Sequence, residues 1–155
     1  MWKDIPIIVV SHRRAGRVTT QDVISNSVIC IEESQYKAYR EHHADKDLLV
    51  HPDSVKGLGQ KFNWVLAQHD SAVIVGDDCT EMHRLYIGTA SQHRRPKKVT
   101  PGRAYDIIQQ TYDTAKQLGS HIFSYSAFPR PMGYEAHRPF KLGGWLFDGC
   151  AGYLN

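Results

Sequence analysis

Short, wholly apolar runs alternate with longer polar stretches along this chain, and that alternation predicts its elements. Ile5–Val10 is a continuous apolar, largely β-branched run bounded by polar residues, the pattern of a strand buried on both faces of a parallel sheet. Val28–Ile31, Leu48–Val50 and Ala72–Val75 are shorter runs of the same kind, each followed by polar or acidic residues. Between them, Lys56–His69 places Leu58, Phe62, Val65 and Leu66 on one helical face and leaves Lys61 and Trp64 off that stripe. A second helix is predicted after Thr100, an N-cap with Pro101 at the first helical position. Ala104, Ile107, Ile108, Thr111, Ala115 and Leu118 keep one face until Gly119 stops it. Ser34–His43 reads as a helix and His121–Ser126 as a strand, with a hairpin or loop in the middle of the chain. From Phe128 to Asn155, proline, glycine and aromatic residues predict loops and short strands.

Strands alternating with helices argue for an α/β architecture. With 155 residues and 41% hydrophobic content, a single domain spanning 1–155 is expected. The net charge of +3 favours anionic partners slightly and does not make nucleic-acid binding the default. Cys30, Cys79 and Cys150 are an odd number at wide spacing, which fits neither a disulfide scaffold nor a CxxC metal site and suggests a reducing cytoplasm. No apolar run approaches the roughly 18–20 residues that span a bilayer. The amino terminus reaches its charges too soon for a signal peptide. A soluble cytoplasmic protein without a membrane partner is the expectation.

Chemistry concentrates where strands end. In AVIVGDDC, Asp77 and Asp78 follow an apolar strand directly. Ligands of open α/β sheets bind outside the carboxyl ends of strands, and adjacent carboxylates there can hold a hard cation that bridges diphosphate oxygens. An Asp-Asp pair can equally start a turn. Ser11-His12-Arg13-Arg14 closes the first strand, so its basic side chains share that sheet edge and could hold a phosphate or a nucleobase carbonyl. Glu32 and Glu33 close the second strand, positioned either to accept from a ribose or to serve a helix dipole. Gly57, Gly59 and Lys61 open a helix whose amides and ammonium could meet an anion. Neither GxxxxGK[ST] nor the third glycine of GxGxxG is present. No HExxH, zinc-finger spacing or GxSxG elbow occurs.

The opening strand with SHRR, the strand-end Glu32–Glu33, GLGQKFNWVL, the strand with GDD, AKQLGSHIFSY and PRPMGYEAHRPFKLGGWLFDG together resemble a GT-A-type glycosyltransferase. The resemblance is closest to the TET/JBP-associated glycosyltransferases and runs through most of the chain. It implies a GT-A-like, Rossmann-like, mostly parallel sheet flanked by helices, and transfer from a nucleotide-activated sugar, in particular a UDP-sugar. Mn2+ or Mg2+ would be held by Asp77 and Asp78, with Arg13, Glu32, Lys61 and Asp77 as nucleotide contacts. The implied acceptor is a hydroxymethylated pyrimidine in phage DNA, or a similar hydroxyl.

Two departures from the family pattern shape the expectations. Cys79 stands where a third acidic residue is usual, and a thiol is a poor ligand for a hard cation. GT-A enzymes continue past the region matching Gly143–Asn155, so the resemblance implies a fold truncated at its carboxyl end. Such a chain would act as a minimal or split enzyme, or as a protomer completed by self-association or a partner chain. In an inverting mechanism a carboxylate takes the acceptor's proton. Asp148 and Glu135 are the acids and His137 the imidazole available as base in the late segment, and each also reads as a structural or solvated residue. The competing expectation is a non-catalytic nucleotide-binding, nucleic-acid-binding or assembly protein, with the Gln92–Lys98 patch touching phosphates.

Overall fold

The apolar run after Asp4 forms β1 (Ile7–Val10), whose four side chains are all buried. A strand with no exposed face must lie inside a sheet covered on both sides. In the computed structural model, which describes residues 4–84, 97–125 and 149–155, β1 does so. It pairs in parallel with β2 (Ser27–Glu32) on one side and β4 (Ala72–Gly76) on the other. β3 (Leu48–His51) extends the parallel set beyond β2. Beyond β4 the sheet continues through β8 (Cys150–Tyr153), antiparallel to β4, to β7 (Ile122–Ser124) at the edge. The six-stranded order is β3-β2-β1-β4-β8-β7. This mostly parallel sheet flanked by helices is the predicted α/β, Rossmann-type architecture.

Two layers cover the sheet, because successive side chains of a strand point to opposite faces. Ile7, Val73 and Val75 meet Ala104, Ile108, Tyr112 and Ala115 of α4 (Pro101–Gln117) and Val23 of the short α1 (Thr20–Val23). Farther along, Val9, Ile29 and Ile31 enclose Tyr39 of α2 (Tyr36–His42). Ile8, Val10, Cys30 and Ile74 point the other way, onto Val65 of α3 (Gly57–Gln68). Each aliphatic side chain removed from water in this way contributes about 1.5–3 kcal/mol.

The second predicted helix is capped as its sequence implies: the Thr100 hydroxyl accepts from the backbone N–H of Arg103, and Gly119 takes a φ of 66° just beyond the end. α3 is rotated relative to its predicted stripe, whereas α4 keeps the predicted Ala104, Ile108 and Ala115 buried. Leu58 is 59% exposed and Leu118 58% exposed, whereas Lys61 is buried. In α3 the buried row is Lys61 and Val65, because the Lys61 ammonium finds a partner at the end of β1. In α4 Tyr112 joins the buried row and Leu118 falls at the C-cap, past the last packed turn.

In the middle of the chain β5 (His83–Arg84) pairs antiparallel with β6 (Lys97–Lys98). Arg94 and Arg95 of the basic patch lie outside the described residues, and Lys98 reaches Glu81 at 3.3 Å. Within the predicted irregular segment 128–155, only 149–155 is described. There β8 sits inside the sheet, and its Gly152 accepts the Phe123 ring so closely that a Cβ would fall 2.2 Å from that ring. Among the described residues no helix is long and apolar enough to cross a membrane.

Candidate functional site

β1 and β4 end level with each other, and β2 beside β1 runs two residues farther. The register pairs Val10 with both Cys30 and Gly76, so Ser11 and Asp77, one residue later, emerge side by side at the carboxyl edge. That edge is where loops leave the sheet and where polar groups can converge without interrupting strand pairing. Ser11 and Asp77 are both buried, and the Ser11 hydroxyl donates to Asp77 Oδ2 at 2.5 Å. With its only proton committed there, Ser11 Oγ accepts from the Tyr39 hydroxyl at 2.6 Å. The Tyr39 oxygen in turn accepts from the Arg14 backbone N–H at 3.1 Å.

The same turn brings a cation to the carboxylates. Arg13 adopts a φ of 54°, a left-handed conformation that non-glycine residues rarely take. Its own N–H donates to Gln35 Oε1 at 2.6 Å. The chain doubles back there, and Arg14 places its NH1 3.1 Å from Asp77 Oδ1 and 3.8 Å from Asp78 Oδ2. Asp77 therefore faces inward with both oxygens engaged, whereas the Asp78 side chain is 71% exposed. The two residues after Val18 hold the β4 loop in place. Thr19 N–H donates to the Asp77 carbonyl at 3.0 Å, Thr19 Oγ1 to the Cys79 carbonyl at 2.8 Å, and Thr20 Oγ1 to the Gly76 carbonyl at 2.6 Å.

Lys61 closes the site from the α3 side. It is only 4% exposed, and its ammonium donates to the Ser11 carbonyl at 2.7 Å. Burial pulls its pKa below the ordinary lysine range, and the neighbouring Cys30, Glu32 and Asp77 partly oppose that pull. Glu32, at the end of β2, accepts from His12 Nδ1 at 2.8 Å on one oxygen and from the Gln35 amide on the other. These residues surround a cavity of about 320 Å³ lined by Val10, Ser11, His12, Arg14, Glu32, Gly57, Leu58, Lys61 and Asp77. Gly57, at a φ of 78°, opens α3 on the cavity wall, and the Lys56 position before it carries no side-chain cap. Cavity, buried cation and helix start thus face one another.

Of the residues expected from sequence, Glu32, Lys61 and Asp77 are brought together on this cavity, and Asp78 stands beside it, linked through Arg14. Arg13, expected as a nucleotide contact, is exposed and does not line this cavity, whereas Arg14 lines it and reaches the carboxylates. Glu135, His137 and Asp148 lie outside the described residues. The Cys79 thiol is raised by burial and donates to the Glu81 carbonyl at 3.7 Å, so it stays protonated near neutral pH. Among the described residues no group of three or more His, Cys, Asp or Glu side chains is placed to hold a metal. Tyr39, Gln35, Thr19 and Thr20 were not legible as site residues. Thr19-Thr20-Gln21-Asp22 does carry a helix-start signal, and Arg14 belongs to the SHRR turn already singled out.

Neither a curated protein nor a solved structure is found to match this chain. The model of one family, described as TET-associated glycosyltransferase, matches residues 5–145 and so takes in the whole of the cavity wall described above. With strands β1 to β4, helices α1 to α4 and β7 all inside that match, the chain belongs to the TET-associated glycosyltransferase family.

Proposed function

We propose that this glycosyltransferase-family chain binds a nucleotide-sugar donor, a UDP-sugar, in the cavity at the ends of β1, β2 and β4, and transfers the sugar to a hydroxyl acceptor. The observation that supports this most directly is the buried Lys61 ammonium on the wall of a cavity shared with Arg14. A buried cation that has one neutral carbonyl as its hydrogen-bond acceptor among the described residues gains from an anionic ligand. Glycosyl transfer creates such an anion. The bond from the anomeric carbon to the diphosphate oxygen breaks, and its electron pair leaves with the diphosphate. The acceptor oxygen forms the new bond and gives up its proton to a carboxylate acting as base. Cations fixed beforehand near the departing oxygens stabilise that charge without reorganising. Lys61 and Arg14 supply two, and the amides opening α3 add a favourable dipole end. The Glu32 carboxylate, oriented by His12 and Gln35, offers acceptors to ribose hydroxyls.

Of the carboxylate pair, Asp78 is the one exposed enough to take a hard cation, since both Asp77 oxygens are engaged by Ser11 and Arg14. Mg2+ and Mn2+ are commonly held by one or two carboxylates together with substrate phosphates, and Asp78 is exposed enough to serve as such a ligand, with Asp77 behind it. A bound Mn2+ or Mg2+ would neutralise charge on the leaving diphosphate. By family membership the acceptor proposed is a hydroxymethylated pyrimidine in phage DNA. The test is transfer itself: incubation with UDP-glucose and other UDP-sugars, Mn2+, and duplex DNA carrying hydroxymethylated pyrimidines, with nucleoside mass spectrometry as the readout. A hexose mass increment that Lys61→Met abolishes supports the reading. No increment with any donor, from protein that binds none of them, refutes it.

A further inference from the structure

The Arg14 guanidinium lies between two carboxylates that a divalent cation would also use. NH1 is 3.1 Å from Asp77 Oδ1 and 3.8 Å from Asp78 Oδ2, while the second Asp77 oxygen is taken by Ser11. Arg14 therefore already supplies positive charge to the pair. A metal ion arriving at Asp78 would stand against that charge, and like charges in close apposition disfavour each other. The residue is held in a way that separates backbone from side chain. Its N–H is fixed on the buried Tyr39 hydroxyl, and the left-handed Arg13 before it sets the turn. The guanidinium itself is partly exposed and lines the cavity. Its end can swing while its Cα stays in place.

We propose that Arg14 couples donor and metal binding: it competes with the divalent cation for Asp77 and Asp78 until a diphosphate enters the cavity and draws the guanidinium onto its own oxygens. This rests on the nucleotide-sugar reading above. A guanidinium forms paired, charge-assisted hydrogen bonds with phosphate oxygens as readily as with a carboxylate, so the transfer keeps its donors satisfied. Asp78 would then be free to hold a divalent cation, which is commonly bound by one or two carboxylates together with substrate phosphates. Linkage makes the effect reciprocal, so nucleotide strengthens metal binding by the factor by which metal strengthens nucleotide binding.

The experiment is a Mn2+ titration followed by electron paramagnetic resonance, with and without saturating UDP, on wild type, Arg14→Gln and Arg14→Lys. Asp78→Ala is subtracted, because UDP chelates Mn2+ on its own. The wild type is expected to bind Mn2+ weakly alone and about tenfold or more tightly with UDP. Arg14→Gln should bind Mn2+ alone more tightly than wild type and lose most of the gain from UDP. Arg14→Lys, which keeps the charge but not the fork, should fall between them. Thermal melts establish that each variant is folded, and Arg14→Lys carries the comparison if Arg14→Gln does not fold. An Arg14 variant that is folded and binds Mn2+ alone no more tightly than wild type overturns the coupling, even where UDP and Asp78-dependent Mn2+ binding both persist. Absence of UDP binding by the folded wild type overturns the nucleotide-sugar reading and the coupling with it.

Discussion

Lys61 on α3 donates to the carbonyl oxygen of Ser11, the first residue after β1, across 2.7 Å. One contact thus ties a buried ammonium to the strand end from which the whole site is built. Folding gains little from burying this charge, since desolvation opposes the hydrogen bond. Lys61→Met, close in length and apolar, should leave the thermal midpoint within a few degrees of wild type or raise it. UDP affinity should nevertheless fall by about tenfold or more, the cost of one charged contact of roughly 1.5–3 kcal/mol. Differential scanning fluorimetry and calorimetric titration measure the two effects separately. A large loss of stability would assign Lys61 to structure.

The depressed pKa of Lys61 has two consequences of opposite sign. Its folded-state value lies below the ordinary 10.5, so between the two values the unfolded chain binds more protons than the folded one. Stability from this group therefore rises with pH through that window, as the penalty of burying the ammonium is relieved. Donor binding runs the other way, because the neutral amine attracts the diphosphate less. The ratio of UDP affinities, wild type over Lys61→Met, should decline with rising pH below 10.5. Taking the ratio cancels the titration of the uracil ring, and a ratio independent of pH would contradict a charged contact.

Ser11 and Tyr39 form a relay whose removal is predicted to be less than additive. Tyr39 donates to Ser11 Oγ, and Ser11 donates to the buried Asp77 carboxylate. Ser11→Ala removes a hydrogen bond to a charged group and should cost about 1.5–3 kcal/mol. Tyr39→Phe should cost about 1 kcal/mol, since its oxygen also receives the Arg14 N–H. Because the two share one chain of bonds, the double variant should lose less than the sum, and denaturant unfolding of all four proteins provides the cycle.

Gly152 tests the placement of β8 inside the sheet. A Cβ there would approach the Phe123 ring to 2.2 Å, far inside contact distance, so Gly152→Ala must displace that ring on the neighbouring strand. Overpacking of this kind costs about 1–3 kcal/mol. Adding Phe123→Leu should recover part of the loss, and an unchanged midpoint in Gly152→Ala would argue against this pairing.

How much could be read without the structure followed from the kind of signal each feature leaves. β1 and β4 announce themselves because strands buried on both faces must be apolar throughout, as Ile7–Val10 and Ala72–Gly76 are. The α4 cap was legible because Thr100 and Pro101 act through local geometry alone. Rotation of a helix about its axis is a tertiary property, so Leu58 looked buried and Lys61 looked exposed when the reverse holds, while Leu118 lies past the last packed turn of α4. The carboxyl ends of the strands marked the site's location and offered Glu32, Lys61 and Asp77. Which arginine of the SHRR turn reaches Asp77 depended on the left-handed φ of Arg13, and arginine has no special preference for that conformation that a sequence would display. Tyr39 and the Thr19–Thr20 strap act across dozens of residues, which no local pattern encodes.

The most direct test of the central claim is a calorimetric titration of the folded protein with UDP and UDP-glucose, with and without Mn2+, alongside Lys61→Met and Asp78→Ala. A cavity built for a nucleotide-sugar predicts saturable, one-to-one binding that Mn2+ strengthens, that Lys61→Met weakens and that loses its metal dependence in Asp78→Ala. No heat of binding from wild-type protein with a native thermal transition, at any Mn2+ concentration, would contradict it.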